Sequence, residues 1–527
     1  MSGVWRRLKS FWKQNKLKLP LLLGLAAILA LSFKIAQARS LSLHFGDEED
    51  HIAFAYFVNR GYRLHRDLQN NHQPLVYFAS AAIQKITQPD NIFMLIRRHR
   101  QTMYVYGALW SVILVWRFKG LGLLFVTFFE FLKYFLFGNI NLMETQAVYP
   151  AVYLFAVMLE VWFKRVLPRK KEAVFLGLNA FLVIFNMVPL WPWLLMVYGL
   201  FWFKARKSLK WQALGLGLGI LVLFAGNYSP IDWFRETVWN NFFYAIPDLS
   251  PFKSSLDWAK MVFFPFLALV TPGSLMAKFI AMFFSGWLVT CGYLVYRRDK
   301  MALAWGGTYL FLMLANNRVL SRGAVFYHGF HLLPWLGLMI FLFGFGLRLV
   351  VTEYPKLKLG LVAVFGLWGF TLMTSRDMPY FLLNTDVNYE YYVNYSTLDD
   401  VNFAIKTLTA PGDRLAVTAN EPLLYWNSGA ELPTRQVVYG GWEPKVKSLR
   451  QDYNQVFYGD APPEIIYGGD EPKLLNENYA NISRFGKATE LFVRRDKFDK
   501  ITQDQWQALS TRGFHAPGDK DYGKKTR

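Results

Sequence analysis

The sequence predicts a polytopic α-helical membrane protein with a soluble α/β domain at its carboxyl-terminal end. Three observations predict this. Apolar residues fill 54% of 527 positions, with a mean hydropathy of +0.18; ordinary soluble domains are less apolar. Lys and Arg fall in short clusters between the apolar stretches, and the composition turns polar after residue 376. The formal net charge of +21 would suit nucleic acid if the basic residues formed one patch. They sit instead between spans, where the positive-inside rule puts them, so orientation accounts for the charge and no nucleic-acid partner is expected. The single cysteine, Cys291, lies in an apolar segment and rules out both a disulfide framework and a thiolate metal site.

In chain order, Arg6, Arg7, Lys9, Lys13, Lys16 and Lys18 precede an apolar run from Leu19 to Phe33. Ala36-Gln37-Ala38 resembles a signal-peptidase site, but the run continues to Ile35 and further spans follow, so a retained anchor with a cytoplasmic amino terminus is expected. The next basic clusters, at Arg117/Lys119, Lys164 to Lys171, Lys204 to Lys210, Arg297 to Lys300 and Arg348 to Lys358, mark cytoplasmic ends. About eleven spans result, near 19–37, 102–117, 121–137, 145–163, 173–188, 190–203, 213–226, 275–296, 301–315, 328–348 and 359–375. An odd number puts the carboxyl terminus outside, on an inner-membrane protein.

The domain division expected from this pattern is a membrane domain over 1–375 and an extracytoplasmic α/β domain over 376–527. The outer pieces are the first loop (about 38–100), a turn at Gly138 to Thr145, a loop near 227–274, another from Asn316 to Tyr327, and the tail. Ile52 to Val58 and Leu75 to Ile86 are apolar but too short to cross, and read as helices lying in the membrane interface. Trp233, Trp239 and Trp258 give the 227–274 loop a similar character. In the tail, Ser396-Thr397-Leu398-Asp399 has the form of a capping box before Val401 to Leu408. Short apolar runs at Leu415 to Thr418, Glu464 to Tyr467 and Glu490 to Val493 alternate with helix-like stretches at 420–428, 443–457, 471–479 and 503–510.

All the candidate chemistry lies on the outer side. A helix starting at Asp47 puts Asp47, Asp50 and His51 on one face, a spacing that suits a divalent metal or an oriented acid/base group. Acids at a helix start also offset the macrodipole, but that needs one or two of them, not Asp47, Glu48, Glu49 and Asp50 beside a histidine. Glu49 reads as the solvated member of the group. Arg66, Asp67 and His72 extend the cluster, with a surface ion pair as the plainer meaning of Arg66-Asp67. Arg318 and Arg322 lie outside, where the charge rule does not predict them, and are candidates to hold a phosphate. His328 and His331 stand one turn apart and are candidates for the same cavity. Glu130 and Lys133, one turn apart within a span, are the main feature favouring transport instead.

Asp47-Glu48, His51, Gly61, Arg66-Asp67 and His72-Gln73-Pro74-Leu75 together resemble the first outer loop of the GT-C glycosyltransferases. The similarity is to the bacterial branch that includes aminoarabinose transferase and the protein O-mannosyltransferases. It implies an enzyme that moves a sugar from a polyprenyl-phosphate carrier to a lipid, glycan or protein acceptor on the outer face. It also implies that Asp47 is the catalytic base or metal-linked acid, with Glu48 beside it and Glu144 as the second-loop acid. This chain departs from the pattern at His65, where Tyr is common, and at Gln73, where Pro is common. The rival reading is a transporter or flippase of lipid-linked sugars.

Overall fold

The computed structural model describes residues 18–225, 228–249, 254–316, 329–378, 385–439, 442–460, 462–470 and 472–518. Its chain divides into two compact units, Met1–Ser40, Arg100–Val222 and Pro251–Val387 in one, and Leu41–His99, Leu223–Ser250 and Asn388–Arg527 in the other. The first outer loop therefore groups with the tail, not with the spans on either side of it in sequence.

The first unit is helical. Among the described residues, five helices are long and apolar enough to cross a membrane: Leu19–Ala38, Met143–Lys164, Val188–Ala225, Leu275–Tyr296 and Gly329–Glu353. Met301–Ala315 and Leu357–Met373 are shorter apolar helices. The core is built on Met143–Lys164, in which every side chain from Glu144 to Leu159 is buried. A helix apolar on all sides belongs inside a bundle. Where helices meet, glycine lets backbones approach: a Cβ on Gly177 would stand 1.9 Å from the Gln212 carbonyl oxygen, and one on Gly215 would stand 2.0 Å from that of Val174. Such small-residue seams are how helices pack when lipid removes the hydrophobic drive.

Two features differ from the sequence expectation. The spans near 190–203 and 213–226 follow one another without a loop, as two helical stretches within Trp191–Ala225 that meet at a kink where Ala205 leaves helical geometry (φ −140°, ψ 34°). The basic stretch between them has no Gly or Pro, and the interruption is confined to that one residue. The second difference is Ser255–Val270, a helix inside the region read as an outer loop, whose start is closed by the Asp257 carboxylate accepting from the Ser254 N–H at 3.0 Å and its hydroxyl at 2.9 Å.

The second unit holds a five-stranded sheet in the order β1-β2-β4-β3-β5, with β1 Leu415–Val417, β2 Ile465–Tyr467, β3 Tyr479–Arg484, β4 Lys487–Arg494 and β5 Phe514–His515. β1 and β2 are parallel and the other pairs antiparallel. The three apolar runs seen in sequence are β1, β2 and β4. β3 and β5 are polar enough to escape notice. Helix Ser396–Leu408 buries Leu398, Val401, Ile405 and Leu408, but the capping box is not formed: Tyr395 is the N-cap, and the Ser396 hydroxyl donates to the Tyr392 carbonyl. The preceding helix Val387–Asn394 runs almost into it, leaving Ser396 inside the first turn.

The helix Gly46–Asn59 is covered by protein. Ile52, Ala53, Phe54, Ala55 and Phe57 are fully buried, and the Phe57 ring meets Tyr425 edge-on at 5.5 Å. Its apolar surface, read from sequence as membrane-facing, is the core of this unit. Gln69 N–H bonds the Arg435 carbonyl at 2.7 Å, and the Asn402 amide holds the carbonyls of Leu424 and Trp426. Tyr425, Trp426 and Trp442 are buried and belong to the core.

Candidate functional site

In the second unit the candidate chemistry is built on the start of helix Gly46–Asn59. Phe45, extended at φ −138°, is the N-cap, and its carbonyl accepts from the N–H groups of Glu48 and Glu49. Asp47, Glu48 and Glu49 fill the first turn, where the exposed N–H groups and the helix dipole favour negative charge. The four acids are not equivalent. Asp47 and Asp50 are half-buried, while Glu48 and Glu49 are fully buried. The reading of Glu49 as a solvated charge is therefore corrected: the turn points it inward.

Burial raises Asp50 well above the usual carboxylate range, with Asp47, Glu49 and Glu443 adding to the rise. Burial likewise lifts Glu49 to about 7, against the pull of His44. For His44, burial opposes the charge, but contacts with Glu421 and Glu49 win and raise it to about 10. His44 Nε2 lies 2.7 Å from Glu49 Oε1 and 3.3 Å from Glu421 Oε2.

Among the described residues, the set whose donor atoms lie within 4.8 Å of one another is His44, Glu49 and Glu421. Asp47, Asp50 and His51, grouped from helical spacing as metal ligands, do not form such a set. His51 turns instead into an aromatic cluster, edge-on to Tyr77 at 5.2 Å and to His72 at 5.7 Å.

The following loop is knit internally. Asp67 pairs with Arg63 (3.0 Å), not with its neighbour Arg66, which is exposed. Burial works against the charge of Asp67, but the Arg63 bonds hold its carboxyl below the ordinary value. His65 adopts φ +66° and is fully buried; its Nε2 meets the His72 carbonyl at 3.1 Å and its Nδ1 meets the Tyr228 hydroxyl. Burial pushes His65 down to about 3, so it is neutral. Gln73, at a position where the resembling loops have Pro, accepts a hydrogen bond from the Trp233 indole at 3.1 Å. A cavity of about 340 Å³ in this unit is lined by Arg235, Glu236, Trp239 and Arg435, with both arginines already ion-paired.

In the first unit, Glu144 sits in the first turn of Met143–Lys164, almost wholly buried. His331, in the short turn Gly329–Leu332, places Nδ1 2.7 Å from Glu144 Oε1. Glu144 Oε2 is buried with no hydrogen-bond partner. Glu130 and Lys133 pair at 2.6 Å inside a network with Ser111, Tyr149 and Ser32, which satisfies them within the bundle. Arg318, Arg322 and His328 lie outside the described residues.

No family model matches the sequence, and no curated protein matches it. Among solved structures, the chain is similar to ArnT from Cupriavidus metallidurans in the apo state, at 14% identity and a TM-score of 0.46, over 90% of this chain and 97% of that one. At that score the likeness fixes no residue's role.

The partners missed in sequence are His44 and Glu421. Nothing local marks Glu421, which the fold of the tail brings to the helix start. His44 stands three residues before Asp47, and its charge matters only because two carboxylates reach it.

Proposed function

We propose that the protein is a membrane glycosyltransferase of the GT-C type, moving a hexosyl or pentosyl group from a polyprenyl-phosphate carrier to a lipid, glycan or protein hydroxyl. Asp47 is the base, with Glu48 and Glu144 as supporting acids. His51, Arg66, Asp67, His72 and His331 contribute to substrate placement, as do Arg318, Arg322 and His328. The observation that carries the reading is the contrast between two neighbouring carboxyls. Glu48 is fully buried, which leaves its half-exposed neighbour Asp47 as the carboxylate that an acceptor hydroxyl can reach. Titratable neighbours in unlike surroundings are the usual arrangement for acid/base work. In the reaction, Asp47 takes the acceptor hydroxyl proton as that oxygen attacks the anomeric carbon. The carbon–oxygen bond to the carrier phosphate breaks, and the phosphate leaves with the electron pair. Cationic side chains near the leaving oxygen stabilise the charge that develops there.

The test is sugar transfer in membranes supplied with a polyprenyl-phosphate sugar. Asp47→Asn is expected to reduce transfer by about 100-fold or more, in the range that general-base loss produces. Full transfer by that variant overturns the assignment, and proteoliposome uptake without a covalent product would mark a transporter.

A further inference from the structure

We infer that His44, Glu49 and Glu421 form a binding site for a divalent metal ion of the zinc class. This site is separate from the acid/base chemistry proposed for Asp47, and it stands or falls independently of it.

The argument begins with Glu49, whose carboxylate is fully buried yet whose two oxygens accept no hydrogen bond. A buried carboxylate is expensive unless something positive meets it. What faces it is His44 Nε2 at 2.7 Å, and that contact lacks the angles of a hydrogen bond: both His44 Nε2 and Glu421 Oε2 are also buried without a hydrogen-bond partner. Three potential ligand atoms, none with a hydrogen-bond partner, thus lie within 4.8 Å of one another. From the imidazole nitrogen, the 3.3 Å to Glu421 falls within the roughly 3.0–3.5 Å expected between ligands that each stand about 2.0–2.2 Å from a zinc ion, and the 2.7 Å to Glu49 is shorter, so an ion would spread that pair slightly. One imidazole and two carboxylates are a borderline-to-hard set, suited to zinc, cobalt or manganese and not to a thiophilic ion.

The surroundings fit a metal centre. The His44 ring is set edge-on against Tyr395 at 5.8 Å, and the Tyr395 hydroxyl donates to the Leu43 carbonyl at 2.9 Å, which fixes the chain on the amino-terminal side of the ligand. Leu43 itself is turned to φ +68°, a costly conformation for a branched residue, and this turn aims His44 at Glu49. The His44 and Glu421 side chains are 31% and 29% exposed, while their ligand atoms themselves are buried. Two ligands come from the first outer loop and one from the tail, so a bound ion ties together segments far apart in sequence and anchors the turn that carries Asp47.

The experiment uses the full chain in detergent, stripped with chelator and titrated with Zn²⁺ and Co²⁺ by calorimetry, with the Co²⁺ absorption spectrum as a geometric readout. One equivalent of Zn²⁺ is expected to bind and to raise the melting temperature. His44→Gln and Glu421→Gln are each expected to weaken binding by about 100-fold or more, at or above the loss that even outer-shell changes cause. Glu421 is partly exposed, so its variant folds even if the His44 variant does not. Failure of the stripped protein to bind either ion, which would make the cluster a plain ion triad around a protonated His44, overturns the inference. So does binding that is unchanged in Glu421→Gln, which would mark an adventitious ion only.

Discussion

At the scale of single residues, burial decides which ionisable groups are available for chemistry. Asp47, Glu48, Glu49 and Asp50 are consecutive and chemically alike, yet one helical turn sends two of them fully inside. His65 shows the same effect in the stability of its unit. Its native value of about 3 lies below the ordinary 6.5, so the stability it contributes is present above pH 6.5 and is lost as pH falls toward 3. The loss is about 1.4 kcal/mol per pH unit across that window. His65→Gln is expected to flatten this acid limb in thermal melts recorded from pH 7 to pH 4. Glu130 tests the opposite case, a charge buried with its partner. Glu130→Ala leaves buried Lys133 uncompensated and is expected to cost about 3–5 kcal/mol in detergent unfolding.

At the scale of elements, the close approach of helix Lys170–Ile184 to helix Trp191–Ala225 depends on a missing side chain at two points. Gly177→Leu has no room, because its first carbon would already overlap the Gln212 carbonyl. The expected result is a destabilisation of about 1–3 kcal/mol or more from overpacking. Gly217→Ala on the same helix meets nothing within 4 Å, and is expected to be neutral or slightly stabilising, since alanine is the better helix former by about 1 kcal/mol. A lower melting temperature for the first variant alone would locate the effect in the helix seam. Helices that were strongly apolar over 20 residues were legible in sequence, as was the amphipathic run Val401 to Leu408. The break expected at Lys204 to Lys210 is present as the kink at Ala205, but charge pattern alone does not show that the interruption is one residue long.

At the scale of the whole molecule, the unit containing the tail is assembled from three separate stretches, Leu41–His99, Leu223–Ser250 and Asn388–Arg527. The tail buries Tyr425 against Phe57, and its Ala430 carbonyl accepts from Arg60. Residues 388–527 expressed alone would present that apolar surface to water. They are expected to unfold without a cooperative transition and to be cleaved rapidly in limited proteolysis, whereas the same residues in the full chain resist.

The sequence by itself determined the helical membrane class, the outer position expected for the acid cluster and the α/β character of the tail. These follow from hydropathy and charge periodicity, which are local properties. It also drew attention to Asp47 through its place at a helix start, and to Glu144 through the resemblance of the outer loops. Only the tertiary structure decided that Glu49 is buried, that His51 packs among rings, and that Glu421 joins His44, because those depend on which distant segments meet. The apolar helix at Ile52 to Val58 makes the point most directly: its composition suits a membrane surface and a protein core equally, and only the presence of the tail around it decides between them.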